Sequence, residues 1–507
     1  MTESGTAGPS AGPDEAGPDA GSDPGMDEAP PGVREIDRLP AIAGALRDAA
    51  ARHGTPLYLT DEATIASAVA ELRDAFPDPW IRQYSVKAND VAAVIALATA
   101  SDGGLGANVV SRGEWAAAGK AGVPNDRISL EGVGKTDADL DAAVRAVVDG
   151  APLRWVAIES AEEAEALAVR ALRAGLGRAR RPPIDVLVRL NPDVHPETQA
   201  VLAVGAGRSK FGMTETELTA TVERLAASAG AVRPRGIHLH VGSQLGAVDA
   251  WRDAVRRGLA VLGLLRGGLP DVDTLDVGGG FPVPPFGEPG PRPERFAREL
   301  PALLEAIPAD RRPDRLATEP GRFVVARAGW LVARVLHVRD RGGPQVVLDT
   351  GMTELIRPAL YGGIHAVVAL TSLGVPVDHA SAPEESQGVA RPAQPPSRRA
   401  RAETDAEVTA LGALPPPRTI DGRPLPAEEP EPLVAVHGPI CESTDELGEH
   451  DLPPLRRGDL VAIRDAGAYG ASLASTYNGR PRPPQVILTR DGRLFVGRRR
   501  GSTAGLG

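Results

Sequence analysis

The sequence predicts a (β/α)8 TIM barrel followed by an antiparallel β-domain, and three observations predict it. Between Asp61 and Arg322, eight short apolar runs alternate with amphipathic helical stretches, the pattern of repeated βα units around a parallel sheet. Beyond Arg322 the runs are β-branched and alternating with no helices between them, as antiparallel strands are. The residue clusters with chemical potential fall at or just after the ends of the eight runs, where such a barrel gathers its active site.

Taken in order, residues 1–37 are rich in Gly, Pro, Ala and acids, with almost nothing to bury, and read as a disordered tail. A helical pattern covers 39–51, and a turn at Gly54 leads into a short strand through Thr60. The eight barrel runs are 82–86, 106–110, 127–131, 155–159, 184–190, 236–241, 274–277 and 315–318. Helices are expected at 91–100, 137–148, 161–174, 215–227, 249–265 and 293–307. The β-domain runs are 323–326, 330–338, 346–348, 366–370, 433–436, 460–463 and 485–488. Residues 371–432, with PPSRRARAE and LPPPRTI, read as a flexible insertion.

The chain of 507 residues is too long for one compact core, and its 42% apolar content is globular. No apolar run is long enough to cross a bilayer, and the first residues lack a basic-then-apolar signal pattern, so a cytoplasmic protein without a membrane partner is expected. Seven acids and no base lie in the first 33 residues, so the net charge of −11 falls to −4 for the remainder. That balance gives no nucleic-acid surface. The single cysteine, Cys441, excludes an intrachain disulfide and a multi-cysteine metal site, and no metal is expected.

The first run ends in YSVKAN at 84–89, with Lys87 at the strand end. A lysine there is ordinarily a solvated charge, but its company changes the reading. LNPDVHPET (190–198) and RSKFGM (208–213) follow the fifth run, HLHVGSQ (238–244) ends the sixth, DVGGGFP (276–282) the seventh and EPGR (319–322) the eighth. DTGMTELIRPALYGGIH (349–365), CESTDEL (441–447) and DAGAYGASLASTYN (465–478) lie in the β-domain.

In this order the segments resemble those of the fold-type III pyridoxal-phosphate decarboxylases, whose fold is alanine racemase/ornithine decarboxylase-like, and among them the diaminopimelate decarboxylases. GTPLYLT at 54–60 resembles the segment that enters the family's β-domain, so that domain is expected to comprise 38–61 and 323–507, with the cofactor-binding barrel at 62–322. The resemblance implies that Lys87 holds pyridoxal 5'-phosphate as a Schiff base, which needs an amine able to act as nucleophile and base. Gly278, Gly279 and Gly280 with Ser243 would bind the phosphate, where missing Cβ atoms let backbone approach the anion. His240 would stack on the pyridine ring, while His238 is expected to be structural. Glu319 would keep the ring nitrogen protonated, making the ring an electron sink suited to decarboxylation.

At the substrate end the resemblance assigns Arg322, Arg357 and Tyr361 to carboxylate binding, Glu442 to the distant ammonium, and Tyr469 to both cofactor and substrate. Cys441 would return a proton to Cα, a task for which a thiol titrates close enough to neutrality. In the family this segment reaches the partner's cofactor, so a homodimer with shared active sites is implied. The implied activity is decarboxylation of meso-2,6-diaminopimelate to L-lysine and CO2 in lysine biosynthesis. Two other readings stand beside it: a same-fold decarboxylase of another amino acid or a carrier-tethered substrate, and a catalytically inactive regulatory binding protein. Thr444 in CESTD, and LEGVGKT at 130–136, depart from the family's usual segments.

Overall fold

A computed structural model describes residues 37–100, 104–178, 181–194, 209–380 and 432–503. The expected tail up to residue 36, the centre of the 190–208 stretch and most of the expected insertion lie outside them. The first strand, β1 (Leu57–Asp61), belongs to the sheet domain, where it pairs antiparallel with one late strand and parallel with another. The next eight close a barrel in chain order: β2 (Ile81–Ser85), β3 (Gly106–Val109), β4 (Ile128–Leu130), β5 (Trp155–Ile158), β6 (Ile184–Arg189), β7 (Val232–His238), β8 (Thr274–Asp276) and β9 (Arg315–Thr318). All eight pairings are parallel, and β9 returns to β2 through Ile81↔Ala317 and Arg82↔Thr318.

Successive strand residues face opposite sides, and this sorts the core. Val186 and Val188 pack outward with the helices, whereas Leu187 joins Trp155 and Ala317 in a separate cluster inside the barrel. The helices start where the sequence supplies caps. Thr136 with Asp139 and Thr214 with Glu217 form capping boxes at Asp137–Val148 and Glu215–Ala226, each cap contributing about 1 kcal/mol.

Four expectations are corrected. The helix expected at 293–307 is two, Pro293–Ala297 and Leu300–Glu305, because Pro301 has no N–H for the carbonyl of Ala297 and its ring clashes there. β7 begins at Val232, four residues before the expected 236, because a register shift between Val186 and Leu187 carries the ladder past Pro234. Residues 323–326 are not a strand: they are the helical turn Arg322–Val325 and its cap residue Ala326. The sheet domain is mixed, not purely antiparallel.

Its strands after the barrel are β10 (Gly329–Asp340), β11 (Pro344–Leu348), β12 (Val367–Ala369), β13 (Thr371–Ser372), β14 (Val375–Pro376), β15 (Val434–His437), β16 (Glu446–His450), β17 (Leu460–Ile463), β18 (Gln485–Leu488) and β19 (Leu494–Arg498). The main sheet runs β16-β15-β11-β10-β1-β18-β19, with β17 joining β10 and β12. β1–β18 and β11–β15 are parallel. Both faces are covered: Leu57, Leu59, Trp330 and Val332 pack on the helix Leu39–His53, while Tyr58, Leu331 and Ala333 face a second core. Residues 371–376, placed in the insertion by composition, instead form the hairpin β13–β14. The Asp459 carboxylate ties it down by accepting from Leu373, Gly374 and the Thr371 hydroxyl. No helix among the described residues is long and apolar enough to cross a membrane.

Candidate active site

The ends of β2, β7, β8 and β9 converge on one cavity lined by Lys87, His240, Ser243, Gly280, Glu319, Arg322 and Tyr469. Ser85, the last residue of β2, donates its hydroxyl to the Glu319 carbonyl at 3.0 Å and its N–H to the Pro320 carbonyl at 3.0 Å. The single helical turn Val86–Ala88 that follows therefore presents half-buried Lys87 beside the segment carrying Glu319. A Cβ on Gly279 would lie 2.2 Å from the Glu319 carbonyl, and one on Gly280 2.5 Å from the Gly242 carbonyl. Those two glycines are thus required by three strand ends crowding together, apart from any ligand. Gly279 also donates its N–H to Nδ1 of His240 at 3.4 Å, bringing that imidazole against the glycine turn. Burial and the Lys87 charge hold His240 well below its usual range, so its ring is neutral.

The sheet domain supplies the opposite wall. Tyr469 sits in the left-handed region at φ 58°, and its N–H donates to the Ala88 carbonyl at 2.8 Å. Asn89 Nδ2 donates to the Gly467 carbonyl at 3.0 Å, so YSVKAN and DAGAYG are stitched directly together. The Tyr469 ring lies under the Arg322 guanidinium at 4.7 Å and near that of Arg357 at 6.0 Å; Arg357 is also 5.8 Å from the Tyr361 ring. Arg322 donates to the Ser243 hydroxyl at 3.1 and 3.3 Å. Burial lowers the pKa of both arginines, and the Arg322 charge helps take Arg357 to about 10. Two buried cations flanking one tyrosine form a site that favours anions.

Behind Glu319 lies a buried cluster that the motifs did not single out. Glu131 follows β4, Asp276 ends β8 and His238 ends β7. His238 Nε2 is 3.4 Å from Glu131 and 3.5 Å from Glu319, and the Glu319 carboxyl is within hydrogen-bonding reach of Glu131 and Asp276. Burial and Glu319 push Glu131 up to about 8 and raise Asp276 well above the carboxylate range, while burial takes His238 down to about 4. The signal for Glu131 and Asp276 was present: both are acids at the carboxyl ends of predicted barrel strands.

Two expected residues stand apart. Cys441 and Glu442 are exposed and do not line the cavity; Glu442 instead accepts from the Tyr477 hydroxyl at 2.7 Å. Their loop is nevertheless fixed, because the buried Asp445 carboxylate accepts from Met352 and Ile440 N–H groups at 2.5 and 2.7 Å. A Cβ on Gly351 or Gly438 would fall 2.2 or 2.3 Å from that carboxylate, so glycine is needed at both. Asp445 thereby ties CESTDEL to DTGMTEL, a role sequence reading missed.

The family model for the pyridoxal binding domain of the pyridoxal-dependent decarboxylases matches residues 62–326, and that for their C-terminal sheet domain matches 408–467. The diaminopimelate decarboxylase of Aquifex aeolicus is 30% identical over 88% of this chain and 89% of its own length. That of Deinococcus radiodurans is 32% identical over 88% and 93%. The solved diaminopimelate decarboxylase of Helicobacter pylori, complexed with L-lysine, superposes with a TM-score of 0.72 at 27% identity, covering 91% of this chain and 98% of that one.

Proposed function

The chain belongs to the pyridoxal-dependent decarboxylases, and from that premise we propose that it removes a carboxylate from meso-2,6-diaminopimelate, giving L-lysine and CO2. The observation that carries the site assignment is the single cavity that Lys87 and Glu319 both line, walled on the far side by Arg322 and Tyr469. The residues fit pyridoxal phosphate. An amine faces the cavity for the aldehyde, and Oε1 of Glu319 is buried without a hydrogen-bond partner among the described residues, as a partner for a protonated ring nitrogen would be. The glycine turn, Ser243 and Arg322 offer an anion backbone donors, a hydroxyl and a cation. When bound, the cofactor supplies an electron-accepting ring for the electron pair released by CO2.

The chain's own residues do the rest. Lys87 would hold the cofactor through its amine, which can act as nucleophile and base there. His240, neutral and wedged against Gly279, gives a flat face for the ring. Arg357, with Arg322 and Tyr361, would bind the substrate carboxylates and fix their orientation in the cavity. Tyr469 closes the wall over cofactor and substrate, its backbone clamped to Ala88. Cys441 then delivers a proton from Sγ to Cα, and Glu442 meets the distant ammonium.

Cys441 and Glu442 are exposed and outside the cavity in one chain, which supports a homodimer whose partner inserts the CESTDEL loop. Two assays test this reading. Purified protein with added pyridoxal phosphate, offered diaminopimelate, lysine, ornithine and glutamate in parallel, should release CO2 from diaminopimelate first; preference for another of the four refutes the substrate. Mixing inactive Lys87→Ala and Cys441→Ala chains should restore about a quarter of wild-type turnover through hybrid dimers with one intact site, and no recovery refutes shared sites.

A further inference from the structure

We propose that Glu131 is a positioning residue for Glu319: a neutral carboxylic acid that donates its proton in a hydrogen bond to the Glu319 carboxylate, reserving the negative charge for the ring nitrogen of the cofactor. The inference rests on the function proposed above and names a residue which that function did not use. Glu131 and Glu319 are each 4% exposed, His238 1% and Asp276 0%. Four strand ends, from β4, β7, β8 and β9, thus bring three buried acids and one imidazole together, with Glu319 on the cavity side. Oε1 of Glu131, Oε1 of Glu319 and Oδ2 of Asp276 have no hydrogen-bond donor among the described residues.

The groups facing the cluster from the other strands do not neutralise it. Arg189 on β6 is committed to Glu159 after β5 at 2.7 Å, Lys87 after β2 lines the cavity, and Asn108 on β3, within hydrogen-bonding reach of Glu131, is uncharged and offsets its burial only in part. Three buried carboxylates, two of them within hydrogen-bonding reach of the third, Glu319, and none with a cation of its own, cannot all ionise, so the cluster retains protons. Which acid keeps one follows from position. Glu319 lines the cavity, whereas Glu131 lies outside it and 3.4 Å from the imidazole of His238. Asp276 accepts the Gly278 N–H at 2.9 Å, yet burial and the Glu319 charge still raise it well above the carboxylate range, so it holds a proton alongside Glu131 and does not take over its place beside Glu319. Burial and the Glu319 charge push Glu131 up to about 8, which agrees with a protonated Glu131 at neutral pH. A donor aimed at a carboxylate favours its charged form, so removing that donor leaves Glu319 to hold the proton itself.

The test compares wild type, Glu131→Gln and Glu131→Leu as cofactor-loaded enzymes, reading kcat, KM and the pH dependence of the bound cofactor's visible absorbance. Wild type should lose kcat above about pH 8, with a parallel absorbance change, as Glu131 ionises. Glu131→Gln, which donates without titrating, should keep kcat within about 3-fold and lose both alkaline transitions. Glu131→Leu should lose kcat about 10- to 100-fold with KM within about 2-fold. A Glu131→Leu enzyme with wild-type kcat and pH profile overturns the proposal. So does a Glu131→Gln enzyme that keeps the alkaline transitions, which decides the matter even if the leucine variant fails to fold. A wild-type chain with neither bound cofactor nor turnover overturns the proposed function itself, and this inference with it.

Discussion

Arg357→Met should make the substrate-free protein more stable and the enzyme worse at binding substrate. Arg357 is 7% exposed, and burial together with neighbouring Arg322 brings its pKa from 12.5 to about 10. At about 1.36 kcal/mol per pKa unit, the folded site disfavours this charge by about 3 kcal/mol. Methionine retains most of the aliphatic bulk and removes the charge. The change also forfeits the contacts of the guanidinium with Tyr361 and Tyr469 at 5.8 and 6.0 Å, worth about 0.5–1 kcal/mol each. The net gain is about 1–2 kcal/mol, read as a rise of about 1–2 °C in the unfolding temperature of cofactor-loaded, substrate-free protein. The same change removes charge-assisted hydrogen bonds to a substrate carboxylate, about 1.5–3 kcal/mol, so KM for diaminopimelate should rise about 10- to 100-fold in a CO2-release assay. A variant that melts lower than wild type with an unchanged KM would refute the reasoning, since Arg357 would then be a structural cation and not a substrate one.

Three further outcomes follow from the same geometry. In cofactor-free protein, the contribution of Glu131 to stability should fall by about 2 kcal/mol between pH 6.5 and 8. The sign follows from the raised group: Glu131, taken from 4.5 to about 8, loses its contribution as pH rises through that range. Thermal unfolding of Glu131→Gln across this range should show no alkaline fall. Gly279→Ala, whose Cβ would lie 2.2 Å from the Glu319 carbonyl, should destabilise by about 1–3 kcal/mol and weaken cofactor retention; an unchanged melting temperature counts against the crowding seen here. Lys87→Ala should leave no visible cofactor band after gel filtration while the far-ultraviolet circular dichroism stays native, and a retained band would place the attachment elsewhere.

The barrel was legible because its evidence is local. Each βα unit writes its own period, and a lysine, a histidine, a glycine run and an acid at successive strand ends can be read without knowing how the strands pair. The boundaries that failed did so for local reasons: Pro301 interrupts a helix, and Pro234 lies at a register shift within β7. The β-domain was legible only in part, because its partners are far apart in the chain. Leu57–Asp61 beside Gln485–Leu488, and Pro344–Leu348 beside Val434–His437, are parallel pairings that no short window of sequence encodes.

The sequence by itself determined the chemistry on offer: which side chains exist, in what order, and that Lys87, His240, Glu319 and Arg322 each follow a barrel strand. Only the tertiary structure decided how those groups are charged and which of them share a space. Glu131, Asp276, His238 and Glu319 interact because barrel closure brings four strand ends together, and the protonation of the first three follows from burial and from the neighbouring charges. Likewise, the exposure of Cys441 and Glu442 in one chain, set against the buried Asp445 that fixes their loop, is a fact of packing. Electrostatic energy depends on separation through space and on exclusion of water, and neither quantity is written along the chain.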